Sequence, residues 1–151
     1  ILDMDIVFDG SHIATATFGT GGTLNVTVDG TAEFGAGYAG TGAVTIKGGA
    51  RINSTTGLLG HSPGSSGTVT VTGPGSQWSV DDRLSIGGYS DAFGTMIIEA
   101  GGLIRNTQGV IGERPDATGT VIVTGAGSRW TNTAELCVGD SSAHDGRVPV
   151  N

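Results

Sequence analysis

The sequence predicts an all-β chain wound as a parallel β-helix, a β-solenoid of about five to six coils of 20–27 residues. Three observations carry this reading. Of 151 residues, 29 are Gly, far above the roughly 7% of ordinary domains, so the chain turns very often. Apolar residues alternate with Thr and other polar residues at a period of two, the spacing of a half-buried strand. The segment Gly67-Thr68-Val69-Thr70-Val71-Thr72-Gly73-Pro74-Gly75-Ser76-Gln77-Trp78 returns 52 residues later as Gly119-Thr120-Val121-Ile122-Val123-Thr124-Gly125-Ala126-Gly127-Ser128-Arg129-Trp130. Four Pro and no Gly-X-Y period exclude collagen. β-branched residues in alternating runs argue against a disordered coil.

In chain order, residues 1–21 keep alternating character (Ile6-Val7-Phe8, then Ile13 to Phe18) without anchor glycines and are expected to form a degenerate coil. Residues 22–145 carry the repeats. Anchor glycines at Gly22, Gly42, Gly67, Gly94, Gly119 and Gly146 are separated by 20, 25, 27, 25 and 27 residues. A second column, Gly35, Gly60, Gly87, Gly112 and Gly139, keeps the same beat. Within one unit, Thr68–Thr72 alternates as a strand, Gly73–Ser76 makes a turn, Gln77–Val80 and Arg83–Ile86 are two further strands, and a polar loop runs from Gly87 to Phe93. Gly94–Ile104 is a second unit type, with a Gly-Gly turn, whose partner is Gly42–Ile52. Units this short exclude propeller blades, which need about 40 residues and four strands. Residues 146–151 begin a further coil and stop inside a strand-like pattern, so all 151 residues are expected to be a single β-helix fragment of something longer.

Composition narrows the function. One Lys, six Arg and a net charge of -7 give no basic footprint for nucleic acid. No run of apolar residues is long enough for a membrane span, so no membrane insertion is expected of this segment. A single Cys137 excludes an internal disulfide and a cysteine-based zinc site; it stands where Ser85 stands one repeat earlier, a small residue for a small residue. Asp81 and Asp82 form the one adjacent acidic pair in a strand region. The equivalent positions in neighbouring coils are Thr56-Gly57, Gln108-Gly109 and Thr133-Ala134, so no acidic column of the kind a glycosidase or lyase needs is formed. No catalytic, cofactor-binding or metal-binding residues are assigned, and the chain is not expected to be an enzyme. Trp78 and Trp130 hold equivalent positions and are expected to fill the core. Asn25-Val26-Thr27 and Asn53-Ser54-Thr55 match the glycosylation acceptor pattern by chance.

The pattern Gly-Thr-Val-x-Val-Thr-Gly-x-Gly-Ser-x-Trp, then Leu-x-Val-Gly, then Gly-Thr-x-x-Ile-x-x-Gly-Gly is carried by Gly67–Trp78 with Leu84–Gly87, by Gly119–Trp130 with Leu136–Gly139, and by Gly94–Gly102. It resembles the repeat of type V secreted autotransporter passengers and PEP-CTERM-associated surface proteins, over roughly residues 41–148. The resemblance implies a right-handed parallel β-helix exported to the bacterial cell surface or beyond, anchored through a part outside this chain. It also implies an adhesin that meets a host matrix protein or a surface glycan. A non-catalytic fragment of a polysaccharide-processing β-helix and a pure spacer are the alternatives.

The remaining charges gather in the last loop of each coil and would form one polar ridge if the coils are in register. The partner-binding candidates there are Asp91, Glu113, Arg114, Asp116 and Asp140. His61 and Glu113 share an offset but stand two coils apart, about 9.6 Å by strand spacing, which is too far for direct catalytic pairing. Uncapped ends make end-to-end self-association a further expectation.

Overall fold

The computed structural model describes residues 23–26 and 33–139. Among these there is no helix, and every strand pairs in parallel. One four-stranded sheet stacks β3 (Thr41–Ile46), β6 (Ser66–Thr72), β9 (Phe93–Glu99) and β11 (Thr118–Thr124). An eight-stranded sheet takes β1 (Thr23–Val26), β4 (Arg51–Ser54), β7 (Gln77–Val80), β10 (Leu103–Ile111), β8 (Arg83–Ile86), β5 (Thr56–Leu59) and β2 (Glu33–Ala36) in that order, with β12 (Arg129–Val138) on β10. The β-solenoid predicted from the repeats is therefore the fold.

Among the described residues the coils number fewer than expected. Thr41, Ser66, Phe93 and Thr118 are aligned with one another and open four coils, preceded by the β1 and β2 strands of another. The expectation of five to six rested on Gly22 and Gly146, which lie outside the described residues, as do the segments 1–21 and 146–151.

The alternation of 25 and 27 residues has a local cause. Between Ile46 and Arg51 stand four residues, and between their partners Val71 and Gln77 stand five. Between Ser54 and Thr56 stands Thr55 alone, where the next coil has Asp81 and Asp82. The longer coil thus carries one extra residue in the turn and one at the bend. Its turn ends in a serine that caps the coil below: Gly49 N donates to Ser76 Oγ at 3.1 Å, and Gly101 N to Ser128 Oγ at 3.0 Å.

The 52-residue repeat is explained by tryptophan. Val44, Ile46, Ile52, Leu59, Val69, Val71, Leu84, Ile86, Met96, Ile98 and Ile104 line a continuous core, and Trp78 is fully buried within it, edge-on to Phe34 at 5.5 Å. Gly57 makes room for the indole: a Cβ there would lie 2.8 Å from Cζ2 and 2.9 Å from Cη2 of Trp78. Gly109 does the same for Trp130, whose Cζ2 would lie 2.9 Å from an added Cβ. Each indole N–H also needs a buried acceptor. Trp78 Nε1 donates to Ser54 Oγ at 3.0 Å and Trp130 Nε1 to Asn106 Oδ1 at 2.6 Å. Ser54 with Gly57, and Asn106 with Gly109, are 52 residues apart like the two tryptophans they serve. A coil bearing Trp must rest on a coil lacking it, so the two unit types alternate.

Candidate functional site

The loops that close successive coils do stack into a ridge, because backbone pairing continues past the strand ends. His61 N donates to Gly37 O at 3.1 Å, Gly88 N to Gly60 O at 2.8 Å and Glu113 N to Gly87 O at 2.8 Å. This register places Tyr38, His61, Gly88 and Glu113 in one column, with His61 and Glu113 two coils apart as the spacing predicted.

The five candidates divide. Asp91 and Asp116 are exposed and occupy equivalent places in successive loops, with left-handed φ of 58° and 66°. Gly64 fills the same place one coil below, at φ 73°. Asp tolerates that conformation better than most residues, so both aspartates shape the turn as well as charging its tip. Glu113 is not a solvated loop residue. Its carboxylate meets Arg83 at 2.8 Å and accepts the Ser85 hydroxyl at 2.9 Å, with only 15% of the side chain exposed. Arg114 is exposed and lies with Cζ 5.7 Å from the Tyr89 ring centre, a cation–π distance. Asp140 lies outside the described residues.

An aromatic column runs through the ridge, which the sequence reading missed. Tyr38 and His61 stack at 4.8 Å, and Tyr89 meets His61 edge-on at 5.0 Å. Gly88 leaves the space above the imidazole, since a Cβ there would lie 3.1 Å from His61 Nδ1. Among the described residues that buried nitrogen has no hydrogen-bond partner. Burial lowers the His61 pKa below its ordinary value; Glu33 and Glu113 oppose the shift and Arg83 adds to it. The imidazole is thus held toward its neutral form between two phenol rings.

Asp81 and Asp82 serve the bend. Their backbone N–H groups donate to Ser54 O and Thr55 O, and their carbonyls accept Thr107 Oγ1 and the amides of Thr107 and Gln108. Half-buried Cys137 donates its thiol to Glu135 at 3.4 Å, and burial followed by that contact pushes the thiol up, away from reactive thiolate character. Among the described residues no three His, Cys, Asp or Glu side chains converge as a metal site, and no helix is long and apolar enough to cross a membrane.

The chain is similar to part of the adhesin BmaC autotransporter of Brucella suis biovar 1 (strain 1330), at 32% identity over 151 aligned positions that cover 93% of this chain. It spans 4% of the length of that protein. No family model and no solved structure matches. The similarity and the β-solenoid together fit an adhesin-type autotransporter passenger segment.

Proposed function

We propose that this chain is a structural and binding segment of a bacterial surface adhesin, one stretch of a β-helical stalk that holds the loop ridge toward a host matrix protein or a surface glycan. In this reading the stalk does no chemistry. It stands on the cell surface or outside the cell, with anchoring supplied elsewhere in a much longer protein. The observation that carries the reading is the ridge itself, whose charged and aromatic side chains are stacked coil upon coil by backbone register above an apolar core.

The ridge offers turn tips at Asp91 and Asp116, a guanidinium at Arg114 and the exposed part of Tyr89. Its test uses the full 151-residue chain on a panel of immobilised matrix proteins and glycan-bearing cells. Asp91→Gly with Asp116→Gly removes both carboxylates at positions where Gly relieves the backbone, and Arg114→Ala removes the cation. Adhesion is expected to fall with these three changes while circular dichroism is unaltered. A chain that adheres to nothing on the panel is a spacer. Turnover of acidic polysaccharides that is lost on changing Asp81 and Asp82 to Asn would make it an enzyme.

A further inference from the structure

The outward face of the sheet built from β4, β7, β10 and β12 lies apart from the ridge. Alternation points Ile52, Trp78 and Ile104 into the core and leaves Arg51 and Asn53, Gln77 and Ser79, Leu103 and Arg105, and Arg129 and Thr131 outward, stacked in two columns. Three of the six Arg residues of an acidic chain therefore share one face. All three are exposed, none forms an ion pair among the described residues, and no Asp or Glu stands in either column.

The face is also grooved. One groove of about 250 Å³ is lined by Arg105, Arg129, Gln77, Thr131, Leu103 and Ile104. An adjoining groove of about 400 Å³ is lined by Asn53, Ser79, Asp81, Asn106, Thr107 and Thr133, with Arg105 at its junction with the first, so that one carboxylate faces it beside the guanidinium. Arg105 borders both. Arg129 pairs with Leu103, two residues before Arg105, so the two arginine backbones are about 8 Å apart by strand geometry. Two long side chains at that separation can close on a single anionic group, and guanidinium suits carboxylate and sulfate.

We infer that this face binds an acidic polysaccharide, with a carboxylate or sulfate group held between Arg105 and Arg129 and neighbouring sugar hydroxyls met by Asn53, Ser79 and Thr107. Charge complementarity selects the anion. The hydroxyl and amide lining selects a sugar over a nucleic acid, because both tryptophans are committed inward and, among the described residues, no aromatic ring lines either groove to stack a base. The site is independent of the loop ridge, and it stands or falls apart from adhesion through Arg114 and the two turn aspartates.

The test measures binding of the 151-residue chain to heparin and to polygalacturonate, with neutral dextran and single-stranded DNA as comparisons. At least one acidic polysaccharide is expected to bind, heparin marking a preference for sulfate and polygalacturonate one for carboxylate. Arg105→Gln with Arg129→Gln is expected to weaken binding about tenfold, the scale of two exposed charge contacts, with unaltered circular dichroism and tryptophan emission. Lys47→Gln, an exposed cation outside this face, is expected to leave binding unchanged. The inference is overturned if neither acidic polymer binds at about 50 mM salt, if the double variant binds as tightly as the parent, or if Lys47→Gln costs as much. Equal binding of dextran or of DNA overturns it as well.

Discussion

Ala100 is the residue that breaks a rule the rest of its column obeys. Register aligns Thr72, Glu99 and Thr124, so the next residues, Gly73, Ala100 and Gly125, share one corner. Their φ values are 89°, 50° and 82°. A left-handed conformation costs a residue with a Cβ about 1–2 kcal/mol, while Gly loses about 0.5–1 kcal/mol in chain entropy relative to Ala. The Ala100 side chain is exposed, so Ala100→Gly should stabilise the chain by about 0.5–1 kcal/mol, read as a higher midpoint in urea. His61 makes a second residue-scale prediction. Its folded pKa lies below the ordinary value of 6.5, so the unfolded chain takes up a proton before the folded one does. Stability is complete above about 6.5 and falls as pH drops toward the folded value. His61→Phe keeps a ring between Tyr38 and Tyr89 and should flatten that part of the curve; an identical pH profile for the two proteins would remove His61 as the cause.

The strand elements were legible because a solenoid repeats its register: the predicted runs Gln77–Val80 and Arg83–Ile86 are β7 and β8, and Thr68–Thr72 lies within β6. What the repeat could not show is how side chains lean between coils. Glu113 was assigned to the ridge by its loop position, yet its partners Arg83 and Ser85 stand in a strand of the coil below. Tyr38, His61 and Tyr89 meet although their separations of 23 and 28 residues fall off the 25 and 27 beat. Tyr38 aligns with His61 at an offset of 23, and Tyr89 follows Gly88, the residue aligned with His61, so a search by fixed offset finds neither pair. The pairing of Gly57 with Trp78 gives the element scale its own prediction. Gly57→Ala alone should destabilise by several kcal/mol, since the added carbon meets a fully buried indole at 2.8 Å and an overpacked core costs roughly 1–3 kcal/mol or more. Trp78→Leu alone opens a cavity and should cost about 3 kcal/mol. The double variant should be less destabilised than the two singles combined; strict additivity in denaturant melts would show that Gly57 is not there for the tryptophan.

At the scale of the whole molecule, stability is a sum over neighbouring coils, and a coil gains its full share only when its core edge is covered. In the coil below, Met96, Ile98 and Ile104 are fully buried, whereas in the last described coil Val123 is 46% exposed, Leu136 46% and Val138 75%. Among the described residues no strand pairs with the outer edge of β11 or β12. Among the described residues, apolar side chains and backbone groups without a strand partner therefore stand together on the last coil, the arrangement that strand edges use to recruit further strands. The isolated 151-residue chain is accordingly expected to associate end to end as its concentration rises toward about 1 mM, a range in which weak contacts populate, and sedimentation analysis would follow the shift. Val123→Lys with Val138→Lys places charges on that end and should return the chain to a monomer without loss of β structure. A wild-type chain that stays monomeric throughout, or a lysine variant that associates equally, would move the contact away from the coil end.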